Sequence, residues 1–463
     1  MDDLIRKSAC EIVALLQSGE ISIDDTLDAL AARIDRVDDE INALPIRCFE
    51  RARERARSSD FSETLLQGIP VAIKDLTAVA GVRFTEGSML FKDRVAERSN
   101  LMVERLEANG AVIYAKSNTP EFGTGGNTFN DVFGATRNPY DSSRSAGGSS
   151  GGAAAALASG SAWLAQGSDL GGSLRTPASF CGVTSYRPSP GVVTGDPGLD
   201  PFDVYAQKGP MARDVADLAL FADAIAGPSS LSGFSKRKHA QKFRRAAGNP
   251  GKPLRIAVSA DLGVTQLADE VNEVFEAAVS RLQGDGLDME SAHPDLGRMW
   301  SAFDVSRALD YALSFGEDLD AAREIYKPEV IWNIERGLNL EVGELRDGLA
   351  ARGEVFNEAA GFMQDFDVLV CPAAAVEPYP VEERYPGYSD GVPYPEYYRW
   401  LAICCAITTT TLPVITIPCG KTRAGLPVGL QLVGKPHGDA ELFSVASYLE
   451  PLFGWDPLAA ISD

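Results

Sequence analysis

The chain has 463 residues, 45% of them hydrophobic, so it is long enough to bury a large core. With 43 basic and 65 acidic residues its formal net charge is −22, which argues against nucleic acid or an anionic membrane as the principal partner. The seven cysteines form no C-x-x-C pair, which favours a reducing, cytoplasmic setting over a disulfide framework or a zinc site. We see no signal peptide and no apolar run of the roughly 20 residues that a membrane helix needs.

The first third of the chain predicts helices that cover a sheet. Residues 1–60 have helical apolar spacing in two blocks, the second preceded by SIDD, a capping pattern that starts at Ser22. The apolar run Ile69 to Ile73 then has the composition of a strand and ends at Lys74. From Asn100 to Ala115 a helix precedes a short strand, which is typical of a parallel or mixed sheet with covering helices.

Two serines framed by glycines follow in the stretch from Asn138 to Pro188. Ser149 lies in GGSSGG and Ser173 in GGS, and the alanine-rich run Ala153 to Ala158 between them has helix-forming composition. Glycines let backbone N–H groups turn inward beside each hydroxyl. A loop, a buried helix and a second loop that returns to the first would bring both serines together. This arrangement suggests covalent catalysis, provided that a base is near.

A lysine is the candidate base. The three histidines, His239, His293 and His437, all lie far from the glycine loops in the sequence. Lys74 stands at the end of an apolar strand, where desolvation lowers the pKa of an amine. A neutral amine can take a proton from a serine.

Together these segments resemble the amidase signature family of serine hydrolases. The likeness covers most of the chain, in family order, through GIPVAIKD, SNTPEFG, RNPYDSSRSAGGSSGG, GGSLRTPASFCGV, GPMARDVADLALFADAIAG and GLPVGLQLVG. It implies an α/β fold, with one large domain whose mixed β-sheet core is covered on both faces by α-helices. It also implies an amidohydrolase that needs no metal and no organic cofactor.

The resemblance assigns a role to each catalytic side chain. Ser173 is implied to be the nucleophile and Lys74 the base. Ser149, on a cis peptide bond after Gly148, is implied to relay the proton between them. Ser150 is the weaker candidate for that relay.

The loop that carries Ser173 is implied to form the oxyanion hole. Its backbone N–H groups, which stabilise the charge of the tetrahedral state, are those of Leu170, Gly171, Gly172 and Ser173. Asp169 is expected to support this loop by hydrogen bonds. Leu170 stands where many family members have threonine, which leaves the detailed substrate assignment open.

Five residues are predicted to bind substrate: Gly123, Thr124, Gly125, Gly126 and Arg175. The first four belong to a small, glycine-rich segment that is expected to leave space for a wide substrate. For Arg175 two roles stay open, pairing with an acidic residue and recognition of a substrate carboxylate. The substrate is expected to be a small-molecule amide or carbamate, with apolar or aromatic amides favoured.

The domain is predicted to continue past a connector. After a helix from Val215 to Ala226, residues 228–253 are expected to be an exposed linker between a catalytic core, 61–227, and a second half, 254–463. The basic run Lys236 to Arg245 is found in nucleic-acid-binding segments as well, but the net charge of −22 favours a solvated connector.

The second half is less readable. It is predicted to open with a strand at LRIAVSAD and a helix from Glu270 to Gln283. Region 296–400 is rich in aromatic residues, and its tract Tyr379–Tyr398 is predicted to cover the active site and to contribute to the substrate pocket. ITTTTLPVITIPCG and GLPVGLQLVG are predicted to be β-rich, before a final helix from Ala440 to Leu452.

Other function classes fit less well. GGSSG matches the G-x-S-x-G nucleophile elbow of α/β-hydrolases, but an elbow follows an apolar strand and here DSSRSA precedes it. The sequence contains no G-x-x-x-x-G-K-[ST] phosphate loop. A glutaminase-type subunit of a tRNA-dependent amidotransferase stays open as the alternative to a free-standing amidase. A homodimer is also expected from the resemblance.

Overall fold

The computed structural model describes residues 2–196, 198–235, 242–389 and 392–457, without the side chains of Asp2, Tyr388, Ser389 and Val392. Its α-helices are α1 (Asp2–Arg6), α2 (Ala9–Ser18), α3 (Ile23–Ile41), α4 (Phe49–Ser58), α5 (Leu101–Ala108), α6 (Gly151–Ala158), α7 (Arg175–Cys181), α8 (Val215–Ile225), α9 (Lys242–Ala247), α10 (Asp269–Gly284), α11 (Met299–Phe315), α12 (Leu319–Ala322), α13 (Pro328–Leu338), α14 (Val342–Phe362), α15 (Ala402–Thr410) and α16 (Asp439–Leu449). Its strands are β1 (Ile46–Arg47), β2 (Pro70–Lys74), β3 (Val112–Ser117), β4 (Phe129–Asn130), β5 (Gly134–Ala135), β6 (Arg137–Asn138), β7 (Asp141–Ser145), β8 (Leu164–Asp169), β9 (Thr184–Arg187), β10 (Gln207–Ala212), β11 (Ile256–Val258), β12 (Met289–Ser291), β13 (Val368–Pro372), β14 (Tyr388–Ser389), β15 (Val392–Pro393), β16 (Val414–Lys421) and β17 (Pro427–Val433).

One mixed sheet organises the molecule. Among the described residues it has 11 strands in the order β1-β3-β2-β8-β10-β9-β16-β17-β13-β11-β12. Strand β2 pairs in parallel with β3 and β8, whereas β8 pairs antiparallel with β10. Because β2 and β8 are parallel neighbours, their carboxyl ends meet at one edge of the sheet. Lys74 ends the first, and the loop with Ser173 follows the second.

Helices cover both faces of this sheet, as the alternation of side chains along β17 shows. Leu430 and Leu432 pack in one apolar cluster with Phe443 of α16. Gln431, between them, points to the other face and accepts a hydrogen bond of 2.7 Å from Arg175 of α7. The predicted fold, one α/β domain with a large mixed sheet between helices, is confirmed.

Several local predictions are confirmed as well. Helix α3 follows Ser22, whose hydroxyl accepts a hydrogen bond from the N–H of Asp25 at 3.1 Å in a capping box. Helix α6 lies between the two glycine loops, and β2 ends at Lys74. Each of these elements rests on a signal that is local in the sequence.

The threonine run before β16 is a correction. It was predicted to be β-rich, since β-branched residues favour strands, but Thr408, Thr409 and Thr410 lie in α15. The hydroxyls of Thr409 and Thr410 donate to carbonyl groups one turn earlier, and Thr408 accepts a hydrogen bond from Arg175 at 2.7 Å. Hydrogen bonds and burial of this run outweigh its strand propensity.

The stretch 228–253 is a second correction, because part of it is a packed helix. In α9, Phe243 is only 4% exposed and packs against Phe443. The N–H group of Phe243 donates to the carboxylate of Asp223 at 3.0 Å. The prediction of an exposed linker is therefore wrong for α9.

Residues 236–241, which include His239 and the first part of the basic run, lie outside the described residues. In the ranges that the structure does describe, no helix has the length and apolar character needed to cross a bilayer.

Candidate active site

Lys74 is the buried centre of a group of hydroxyls. Its side chain is fully buried, and its Nζ lies 2.7 Å from Ser149 Oγ, 2.9 Å from Ser150 Oγ and 3.1 Å from Ser168 Oγ. Burial lowers the pKa of Lys74 well below its ordinary value, and the charge of Asp169 offsets this only in part. The environment therefore favours the neutral amine.

The two serines before α6 have different surroundings. The peptide bond between Gly148 and Ser149 is cis, as the resemblance implied, and Ser149 lines a cavity. Ser150 is fully buried, and its Oγ donates to the carbonyl of Ser168 and accepts from the N–H of Ser168, both at 3.2 Å. Ser150 is thus held by backbone groups, whereas Ser149 faces space that a substrate can enter.

The cavity brings the two predicted catalytic serines together. It measures about 240 Å³, and both Ser149 and Ser173 line it. Its walls include apolar and aromatic side chains from several loops and from α11, namely Leu76, Phe122, Leu170, Tyr311 and Phe315. A concave, partly apolar site beside convergent hydroxyl groups is the usual form of a small-molecule site.

Asp169 holds the loop that carries Ser173. Its carboxylate accepts hydrogen bonds from the N–H groups of Gly172 at 2.9 Å and Leu174 at 3.0 Å, and from Arg175 at 2.9 and 3.0 Å. Arg187 adds a second cation at 3.4 Å, and all three charged side chains are at most 1% exposed. Burial opposes ionisation of Asp169, but the two guanidinium groups outweigh it and hold the pKa of the carboxyl below its usual range.

Arg175 lies within this network and away from the cavity lining. Besides Asp169, it donates to the carbonyl of Cys404 at 2.9 Å and to Gln431 and Thr408, both at 2.7 Å. Of the two roles left open for Arg175, the geometry favours pairing with an acidic residue.

Comparison with known proteins places this site in a family. The sequence model of the amidase family matches residues 25–443. The chain belongs to the amidase family. It is 34% identical over 461 residues to an acylamidase from Rhodococcus erythropolis, an alignment that covers 97% of this chain and 96% of that one. It is therefore an amidase, a hydrolase that cleaves the carbon–nitrogen bond of amides.

Further relatives cover nearly the same length. A glutamyl-tRNA(Gln) amidotransferase subunit from Moorella thermoacetica is 33% identical over 479 residues, which cover 97% of each chain. The crystal structure of a bacterial aryl acylamidase superposes with a TM-score of 0.91 at 24% identity, over 98% of this chain and 99% of that one, and so shares the fold. A 6-aminohexanoate cyclic dimer hydrolase, solved with its substrate, gives a TM-score of 0.86 at 25% identity over 97% of this chain and 98% of that one.

The glycine-rich segment of the amidase lies partly at the cavity. Of its described residues, Gly123 alone lines the cavity, and a Cβ built there would be 3.4 Å from Ser149 Oγ. Thr124 is buried, with its hydroxyl 2.6 Å from that of Tyr311, while Gly125 lies near Lys327. At Gly126 a Cβ would be 2.3 Å from the ring of Trp400. The expected open space is wrong for this end of the segment, because an indole ring fills it.

Sequence analysis missed two parts of the site. Ser168 contacts Lys74 near the end of β8. Tyr311 and Phe315, one turn apart on α11, line the cavity, and their helical spacing is the signal that would have found them. Within the predicted covering tract, residues 379–389 and 392–398 as described do not line the cavity. The pocket role predicted for this tract is therefore not supported.

Proposed function

We propose that this amidase cleaves small-molecule amides through an acyl-enzyme on Ser173, with Ser149 and Lys74 as the proton relay. The observation that carries the proposal is the buried Nζ of Lys74, 2.7 Å from Ser149 Oγ on the wall of the cavity that Ser173 also lines. A serine hydroxyl is a weak nucleophile until a base takes its proton. A desolvated, neutral lysine supplies that base.

The hydrogen bonds around Lys74 support Ser149 over Ser150 as the relay. A neutral amine has two N–H bonds and one lone pair, and three hydroxyl oxygens surround it. Because Ser150 Oγ donates to the carbonyl of Ser168, it accepts from Lys74. We assign the other N–H to Ser168 Oγ and the lone pair to the shortest contact, the hydroxyl of Ser149.

The reaction follows from this assignment. Lys74 accepts the proton of Ser149, Ser149 accepts the proton of Ser173, and Ser173 Oγ attacks the amide carbonyl. Ser149 then returns a proton to the nitrogen of the departing amine as the C–N bond breaks. Water hydrolyses the acyl-enzyme and regenerates the Ser173 hydroxyl.

The oxyanion hole follows the same loop. The predicted donors are the N–H groups of Leu170, Gly171, Gly172 and Ser173, but Gly172 N–H is directed to Asp169 at 2.9 Å. We therefore assign the hole to the amides of Leu170, Gly171 and Ser173. Preorganised amides of this kind stabilise the negative oxygen of the tetrahedral state.

The walls of the cavity support an apolar or aromatic amide, and an aryl carbamate uses the same machinery. A volume of about 240 Å³ suits a small substrate. The net charge of −22 supports a protein without a nucleic-acid partner. A cytoplasmic location and a homodimer remain part of this proposal.

Hydrolysis of a substrate panel tests the proposal. The panel holds glutamine, a nitroanilide, a primary aliphatic amide, an aryl carbamate and an aryl ester, each given to the wild type, Ser173→Ala, Ser149→Ala and Ser150→Ala. We expect turnover of the nitroanilide or the carbamate, and its loss in the first two variants. A larger loss in Ser150→Ala than in Ser149→Ala contradicts the relay.

The pH profile gives a second test. Because burial lowers the pKa of Lys74, the neutral amine is already present below the ordinary pKa of lysine and increases with pH. We expect kcat/KM to rise with pH and then level off. A flat profile between about pH 6 and 10, with chemistry rate-limiting, contradicts lysine as the base.

The identity of 33% to an amidotransferase subunit favours one alternative, a glutaminase-type subunit. Turnover of glutamine alone, or no turnover without a partner protein, supports that alternative.

A further inference from the structure

A buried arginine lines the same cavity as the catalytic serines. Arg307 lies on α11 and is 9% exposed, and its side chain forms part of the wall that includes Ser149 and Ser173. The family motifs of the sequence do not include Arg307, and the relay has no use for it.

The contacts of Arg307 are with neutral groups. Its Nε donates to Asn333 Oδ1 at 3.0 Å, and its Nη2 donates to the hydroxyls of Tyr311 at 3.3 Å and Tyr397. Burial raises the pKa of Tyr311 and of Tyr397, so both phenols are neutral near pH 7. These three partners orient the guanidinium group without neutralising its charge.

The acidic residues on the same helix do not neutralise it either. Asp304, one turn earlier, is engaged by Arg399 at 2.7 Å and by Tyr398 at 2.8 Å. Asp310, one turn later, lines the cavity, but burial raises its pKa to about 7, so it is partly protonated near neutral pH. Among the described residues, no carboxylate lies within the 4.0 Å ion-pair limit of Arg307.

We infer that Arg307 binds a carboxylate of the substrate, so that the enzyme selects amides that carry an acid group away from the scissile bond. A buried charge is costly without a counter-ion. A carboxylate in the cavity supplies that counter-ion through charge-assisted hydrogen bonds. The inference rests on the proposed function and specifies its substrate class.

The wall between the serines and Arg307 indicates what joins the two groups of the substrate. Phe122, Tyr311 and Phe315 present rings to the cavity. The substrate class is therefore an amide whose carboxylate is separated from the scissile carbonyl or nitrogen by an apolar or aromatic spacer. The acid side and the amine side of the bond are distinguished by experiment.

Two matched pairs of substrates test the inference. The first compares the 4-nitroanilides of glutaric acid and of butyric acid, in which the carboxylate is on the acyl side. The second compares 4-acetamidobenzoate with acetanilide, in which it is on the amine side. We expect the acid member of at least one pair to have the higher kcat/KM, mainly through a lower KM. In Arg307→Met this preference falls on the order of 10- to 100-fold, while the neutral member changes little.

Three variants separate recognition from folding. Arg307→Lys keeps a cation and is expected to retain part of the preference. Asn333→Leu removes a partner of the guanidinium group without its charge and is expected to keep the preference. Lys208, a second cation on the cavity wall, is replaced in Lys208→Met, which is expected to keep it as well. Circular dichroism spectra and melting temperatures verify that each variant is folded.

If Arg307→Met does not fold, competition by glutarate and butyrate against the wild type replaces it, with stronger inhibition by glutarate at low salt expected. The inference is wrong if the wild type prefers the neutral members, if Arg307→Met slows both members alike, or if the preference disappears in Lys208→Met instead. Failure of the proposed function gives a different result, in which neither pair is turned over or turnover persists in Ser173→Ala.

Discussion

The carboxylate of Asp169 offers a stringent test of how the catalytic loop is held. In Asp169→Asn the side chain keeps its shape but loses its charge. One of its two oxygens becomes an NH₂ group that faces the N–H donors of Gly172, Leu174 and Arg175. Arg175 and Arg187 remain buried without their shared counter-ion.

The size of the effect follows from this geometry. Removing one partner of a buried ion pair costs about 3–5 kcal/mol, because the remaining charge is left uncompensated. We expect the free energy of unfolding to fall by that amount. Folded Asp169→Asn protein is also expected to lose activity, since Gly172 and Ser173 lie in the loop that the carboxylate holds.

Urea unfolding followed by circular dichroism measures the loss. The control is Asp347→Asn, which breaks a 3.0 Å ion pair to Arg298 with side chains that are 57% and 42% exposed. An exposed pair contributes about 0–1 kcal/mol. A loss in Asp169→Asn that is no larger than in this control refutes the structural role of the buried carboxylate.

The difference between wild type and Asp169→Asn also depends on pH with a definite sign. The folded-state pKa of Asp169 is lowered, by guanidinium groups that outweigh the effect of burial. Its stabilisation is therefore fully present above the unfolded pKa of about 3.9 and is lost as pH falls through the folded-state value. Urea midpoints measured between neutral pH and about pH 3 are expected to converge in acid.

Other predictions concern the base, the packing and a helix cap. Lys74→Met is expected to abolish activity yet to be more stable than the wild type near neutral pH, with the gain shrinking as pH rises towards about 10, because the folded-state pKa of the buried amine is lowered; melting temperatures at two pH values measure this, and a gain that grows with pH contradicts it. Gly126→Ala places a Cβ 2.3 Å from the ring of Trp400 and is expected to cost about 1–3 kcal/mol, whereas Gly361→Ala, with open space around its Cβ inside α14, is expected to be neutral or stabilising; equal unfolding midpoints in the two variants refute the packing argument. Ser22→Ala removes the cap of α3 and is expected to cost about 1 kcal/mol in a urea titration.

The sequence alone determined the parts of the site that depend on local signals. An apolar run predicted the strand that ends at Lys74, and glycines on either side of an alanine-rich run predicted two loops around α6. Because these signals lie within a few residues of each element, the strand, the loops and the helix were predictable without knowledge of their partners. The family resemblance added the roles of Ser149 and Ser173, which propensity does not specify.

The tertiary structure decided everything that depends on residues far apart in the chain. Thr408 lies in a helix and bonds to Arg175, 233 residues away, so its strand propensity does not determine its conformation. Trp400 fills the space that Gly126 was expected to leave open. Arg307 reaches the cavity of the serines only because α11 packs beside the loops that carry them. Such contacts are formed by the packing of elements on the sheet, and no pattern within a single segment encodes them.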